Sequence, residues 1–81
     1  MRLLQLQEEL LDELATVLGR DVGLHDELLG NGGFDSFSIM QLVTSLEERY
    51  GIRIPDEHLA ASSFTNASII SDWLLPLARS R

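Results

Sequence analysis

Apolar residues in the first part of the chain recur at threes and fours: Leu3, Leu6, Leu10, Leu14, Val17 and Leu18, with Glu8, Glu9, Asp12 and Glu13 mostly on the other side. This spacing returns to one helix face every turn, so residues 3–18 are expected to form an amphipathic helix with buried leucines and solvated carboxylates. Gly19 is a suitable stop. The period is lost over residues 20–34, where Asp21, Asp26 and the Gly30-Asn31-Gly32-Gly33 run are punctuated by Val22, Leu24, Leu28 and Leu29. A connection this long in a small domain should be pinned by its apolar residues, while the glycines let the chain turn sharply.

Helical spacing resumes at Ser36 and holds to Tyr50. Asp35 can accept a hydrogen bond from a free N–H of the first turn and is the expected N-cap, which makes Ser36 the first helical residue. Phe34 and Ile39 have the spacing of a hydrophobic staple. Ile39, Leu42, Val43, Leu46 and Tyr50 share the expected core face. The opposite face carries Phe37, Met40, Gln41, Thr44 and Glu48, so two large apolar side chains point outward beside the hydroxyl of Ser36. Grouped in this way they suggest a docking surface.

After Gly51 breaks this helix, Ile52-Arg53-Ile54-Pro55 reads as a short extended segment with both isoleucines inward, and Asp56 is expected to cap a brief turn through Glu57, His58 and Leu59. Thr65 is the expected cap of a last helix, with Phe64 stapled onto Ile69. Its inward stripe would be Ile69, Ile70, Trp73, Leu74 and Leu77; Pro76 should weaken or kink it, and Arg79-Ser80-Arg81 should fray. His25 and His58 read as surface residues and Trp73 as core or core edge. No segment reads strongly as a strand. The expected fold is all-α, a small four-helix bundle of three long helices and one short one.

Composition narrows what such a fold does. With 81 residues, 1–81 is expected to be a single domain, near the lower size at which one apolar core suffices. A chain that is 44% hydrophobic but only 6% aromatic suits a Leu/Ile/Val helix core, and without cysteine it has no disulfide or thiolate metal site. The acidic pairs of the first helix lack further ligands at clear spacing, so no metal site is expected. A formal charge of −7 repels nucleic acid and anionic membrane and favours partners with basic patches. No apolar run approaches the roughly 20 residues that span a bilayer, and no secretory signal opens the chain, so a free-standing cytoplasmic monomer is expected.

Chemistry converges on Ser36. An Asp-Ser pair alone is a common way to begin a helix. A serine hydrolase is excluded: there is no G-x-S-x-G elbow, only two histidines are present, and the chain is short for a substrate pocket. The glycine run matches neither G-x-G-x-x-G nor a P-loop, and no strand precedes it. What remains is a modified serine or an unmodified helical interaction domain in which Phe37 and Met40 fill a partner's groove.

Gly33, Asp35 and Ser36, followed by Leu42, the Leu46-Glu47-Glu48 stretch, Tyr50-Gly51 and Ile54-Pro55-Asp56, resemble the attachment site of an acyl or peptidyl carrier protein. Phe37 replaces the aliphatic residue that usually follows the serine in that family. The resemblance implies an up-down bundle with a long first loop and no catalysis by the chain itself. It implies that Ser36 receives 4'-phosphopantetheine from coenzyme A, with Asp35 part of the motif that the phosphopantetheinyl transferase uses. The arm's thiol would carry acyl or aminoacyl thioesters to loading enzymes and synthases, and Phe37, Met40, Gln41, Thr44, Glu47 and Glu48 would form the docking face. Fatty-acid-type carriers usually bear acidic residues near the start of this helix, where Ser38 and Gln41 stand here. The neutral top points to a discrete carrier in polyketide or other specialised biosynthesis. The alternatives are a fatty-acid-type pathway, or an aminoacyl carrier of nonribosomal-peptide or D-alanyl-transfer type.

Overall fold

The structure is a computed structural model and describes residues 1–80; Arg81, at the end of the expected frayed tail, lies outside the described residues. Three helices carry the core: α1 (Leu3–Leu18), α2 (Ser36–Tyr50) and α3 (Ala67–Arg79). No strand occurs among the described residues. The short fourth helix is a pair of 3-10 turns, Asp56–His58 and Ala61–Phe64. Pro55 precedes the first of them, so Asp56 lies inside the turn and does not cap it.

Helix α1 packs against both α2 and α3. Leu6, Leu10 and Leu14 from α1, Leu42, Val43, Leu46 and Tyr50 from α2, and Ala67, Ile70 and Leu74 from α3 form one core with Leu28, Phe34, Ile54 and Phe64. Each fully buried leucine or isoleucine contributes about 1.5–3 kcal/mol. Both long helices end on left-handed glycines, Gly19 and Gly51, whose N–H groups return to Ala15 and Glu47.

Four expectations are corrected at the edges of this core. Leu3 precedes the packed part of α1 and is 41% exposed. Asn66, one residue later than Thr65, caps α3, its side chain accepting the Ile69 N–H at 2.8 Å, whereas the Thr65 hydroxyl donates to the Ser62 carbonyl. The later cap puts Ile70 at the staple position and leaves Ile69 37% exposed. Finally, α3, with Pro76 inside it, extends to Arg79, a residue expected in the frayed tail. The Arg79 guanidinium donates to the Met1 carbonyl at 2.9 Å, which ties the two ends of the chain together.

Polar groups join the helices where they pack. Ser71 is wholly buried on α3; its hydroxyl donates to the Ser68 carbonyl at 2.8 Å and accepts from Gln7 of α1 at 3.2 Å. The Tyr50 hydroxyl donates to Glu9 at 2.7 Å, and Arg49 pairs with Glu13 at 2.8 Å. Burial first, and then the Glu9 carboxylate, push the Tyr50 phenol far above its ordinary range. The same hydrogen bond holds the Glu9 carboxyl below its own.

Candidate functional site

The site begins with the connection between α1 and α2. Leu28 is its anchor, wholly buried, with its N–H donating to the Thr65 carbonyl and its carbonyl accepting the Phe34 N–H, both at 3.0 Å. Between these points the chain makes a 3-10 turn, Gly30–Gly32. Gly33 follows at φ 82°, a left-handed conformation that costs most other residues. At Gly32 the constraint is space, since an added Cβ would collide with the Glu27 carbonyl oxygen. The turn delivers Phe34 into the core, where its ring meets Phe64 at 6.1 Å between centroids.

With Phe34 buried, Asp35 and Ser36 emerge at the surface. Asp35 caps α2 as its sequence position suggests: the carboxylate accepts the Ser38 N–H at 2.9 Å. That bond is the main reason its carboxyl lies below the usual range. Ser36 is the first residue of α2 and is exposed. Its hydroxyl has no hydrogen-bond partner among the described residues, and its N–H has none, whereas the Phe37 N–H also faces the Asp35 carboxylate. Free N–H groups and the positive end of a helix dipole favour an anion here by about 0.3–1 kcal/mol.

Phe37 is 71% exposed and Met40 52%. With Gln41, Thr44 and Ser45 they line an open, mainly apolar groove along the outer face of α2. Periodicity alone brings four of these five side chains together; Ser45 was not anticipated, being a small polar residue between the two faces. Glu48 is exposed farther along α2 and does not line the groove. Glu47 has a different engagement. Its carboxylate accepts the Ile54 N–H at 2.8 Å, so it holds the extended segment after α2 against the helix end.

The 3-10 turns are fastened to α3 by Trp73. Its indole N–H donates to the Ser63 carbonyl at 2.9 Å, Phe64 meets it edge-on at 5.6 Å, and His58 stacks on it at 4.8 Å and 9°. His58 is therefore half-buried rather than a plain surface residue. Its nearest ionisable neighbour is the exposed Glu57 carboxylate, 3.9 Å from Nε2, and no group of ligating side chains suited to a metal occurs among the described residues. No helix among them is long and apolar enough to cross a membrane.

The helical bundle thus presents an unbonded serine at a capped helix start, beside an apolar groove. The Phosphopantetheine attachment site family matches residues 8–73, which is most of the chain. The chain belongs to this family. It is therefore a carrier protein, which holds its cargo on a 4'-phosphopantetheine group and is not an enzyme.

Within that class the chain is similar to acyl carrier proteins. It is 36% identical to the acyl carrier protein of Kineococcus radiotolerans over 58 residues, 63% of this chain and 72% of that protein. The acyl carrier protein of Renibacterium salmoninarum is 36% identical over 59 residues, 64% of this chain and 73% of the relative. That of Helicobacter acinonychis is 36% identical over 50 residues, 62% of this chain and 64% of the relative. Carriers of this family interact with a phosphopantetheinyl transferase and with biosynthetic enzymes.

Proposed function

We propose that Ser36 is the attachment residue, that residues 1–81 make one carrier domain, and that Phe37, Met40, Gln41 and Thr44 form the face on which partner enzymes dock. The observation that carries the reading is the hydroxyl of Ser36: exposed, unbonded, and placed by the Asp35 cap at the start of α2. In loading, Ser36 Oγ forms a new bond to the phosphorus that carries pantetheine as the P–O bond of the coenzyme A pyrophosphate bridge breaks; 3',5'-adenosine bisphosphate leaves with that bridging oxygen, and the serine proton passes to the transferase. The free N–H of Ser36 and the positive end of the α2 dipole offset the added negative charge, which Asp35 opposes. Once attached, the arm supplies a thiol that carries cargo as a thioester at high effective concentration.

Acyl cargo is favoured over aminoacyl cargo by the similarity to acyl carrier proteins. The outer face of α2 favours a specialised pathway such as polyketide synthesis, because apolar and neutral side chains stand where charge-steered recognition would need carboxylates. The cytoplasm is the compartment that suits such a carrier. The test is intact mass after incubation with a broad-specificity phosphopantetheinyl transferase, magnesium and coenzyme A, beside Ser36→Ala. The expected result is one added phosphopantetheine in the parent and none in the variant. A folded parent that gains nothing would instead support an unmodified interaction domain, in which Ser36→Ala leaves partner binding intact.

A further inference from the structure

The connection before Ser36 is anchored at Leu28 and again at Phe34, and held loosely in the turn between them. Leu28 is buried and doubly bonded, and the Leu24 carbonyl accepts the Ser68 N–H at 3.0 Å. The turn that follows has no comparable anchor. Gly30, Asn31 and Gly33 are exposed, and the turn's own backbone bonds, Gly32 N–H to Leu29 and Gly33 N–H to Gly30, are long at 3.3 and 3.5 Å. Three glycines in four residues give this turn wide freedom when it opens. Yet its geometry decides how Asp35 and Ser36 leave the core.

Among the described residues, one side chain is hydrogen-bonded to this turn. Arg20, directly after the glycine that ends α1, donates Nη2 to the Gly32 carbonyl. Its guanidinium thus ties the end of one helix to the turn that opens the next. Arg20 makes no ion pair among the described residues, so its charge serves this carbonyl. A hydrogen bond from a guanidinium is charge-assisted and stronger than one between neutral groups.

We propose that Arg20 is a positioning residue for the loading of Ser36, keeping the glycine turn, and with it the start of α2, in the arrangement a transferase binds. This rests on the assignment of Ser36 as the attachment residue. If the turn opens without Arg20, only a fraction of molecules is competent at any moment. The KM for the carrier then rises by the inverse of that fraction, while kcat for bound carrier is unchanged.

The experiment measures phosphopantetheine gain by intact mass against carrier concentration, at saturating coenzyme A, for the full chain and for Arg20→Ala, Arg20→Lys and Arg53→Ala. Arg20→Ala should raise KM by up to roughly three- to tenfold, the full factor of a net hydrogen bond being reached where the weakly bonded turn is near balance with Arg20 and mostly open without it, with kcat unchanged. Arg20→Lys should recover most of the loss, because an ammonium can donate to the same carbonyl. Arg53→Ala removes the same charge from an exposed position outside this turn and should behave as the parent. The Gly33 amide should exchange with solvent faster in Arg20→Ala by a similar factor, with the centres of the three helices unchanged. Parental KM in Arg20→Ala, an equal rise in Arg53→Ala, or faster exchange throughout the fold would each overturn the proposal. Failure of the Ser36 assignment looks different: no gain in the parent, or a gain that survives Ser36→Ala.

Discussion

Replacing Gly33 by alanine tests whether backbone conformation before Ser36 is set by the glycine itself. Gly33 sits at φ 82°, and a Cβ built there meets nothing within 4 Å, so sterics with neighbours play no part. The cost is that of holding an L-residue left-handed, about 1–2 kcal/mol. Alanine also restricts the unfolded chain, which returns about 0.4–1 kcal/mol. The net loss is therefore about 1 kcal/mol, or roughly 4–8 °C in Tm for a domain of this size. Thermal unfolding followed by circular dichroism measures it, with Gly33→Asn as the companion, because asparagine tolerates this region and should lose less. Phosphopantetheine loading should slow as well, since a turn that relaxes toward negative φ redirects Asp35 and Ser36. An alanine variant that matches the parent in both Tm and loading would refute the reasoning. Gly32→Ala should be worse than either, because its Cβ strikes backbone that cannot rotate away.

Tyr50→Phe deletes the hydroxyl bonded to Glu9 while keeping the packed ring, and should cost about 1–2 kcal/mol at pH 7 in urea unfolding. A bond to a charged group carries somewhat more than that, but Glu9 keeps Gln5 and some solvent. Because the folded Glu9 carboxyl is held low, its contribution is whole above the unfolded carboxylate range and is lost as pH falls through the folded pKa; the two proteins should converge in acid. Leu28→Ala empties a wholly buried position and should lower stability by about 2–5 kcal/mol, read as a large drop in urea midpoint. Phe37→Ser and Met40→Ser should leave Tm nearly unchanged, since both side chains are exposed, yet raise the transferase's KM for the carrier with little dependence on salt.

Much of the site is local and therefore legible in one dimension. The Asp35 cap and the period that sends Phe37 and Met40 outward both act within a helical turn or two, so neighbouring residues suffice to place Ser36 at an exposed helix start. The misread start of α3 lies where a distant partner takes part, whereas that of the 3-10 turn is local. Thr65 and Asn66 are both good caps on local grounds, and the bond from Leu28 to the Thr65 carbonyl accompanies the choice of the later one. Asp56 has the chemistry of a cap, but Pro55 already occupies that position in the chain.

The extents of α1 and α2, the all-α class and the serine's setting thus follow from the sequence by itself, because hydrophobic period and capping are short-range. Only the tertiary structure decides that Ser71 is buried against Gln7, that His58 stacks on Trp73, that Glu47 holds Ile54 and that Arg20 reaches Gly32. Most of these pairs join residues far apart in the chain, and even the nearest of them, Glu47 with Ile54, spans the break after α2. Their geometry exists only once the core has packed and brought the elements together.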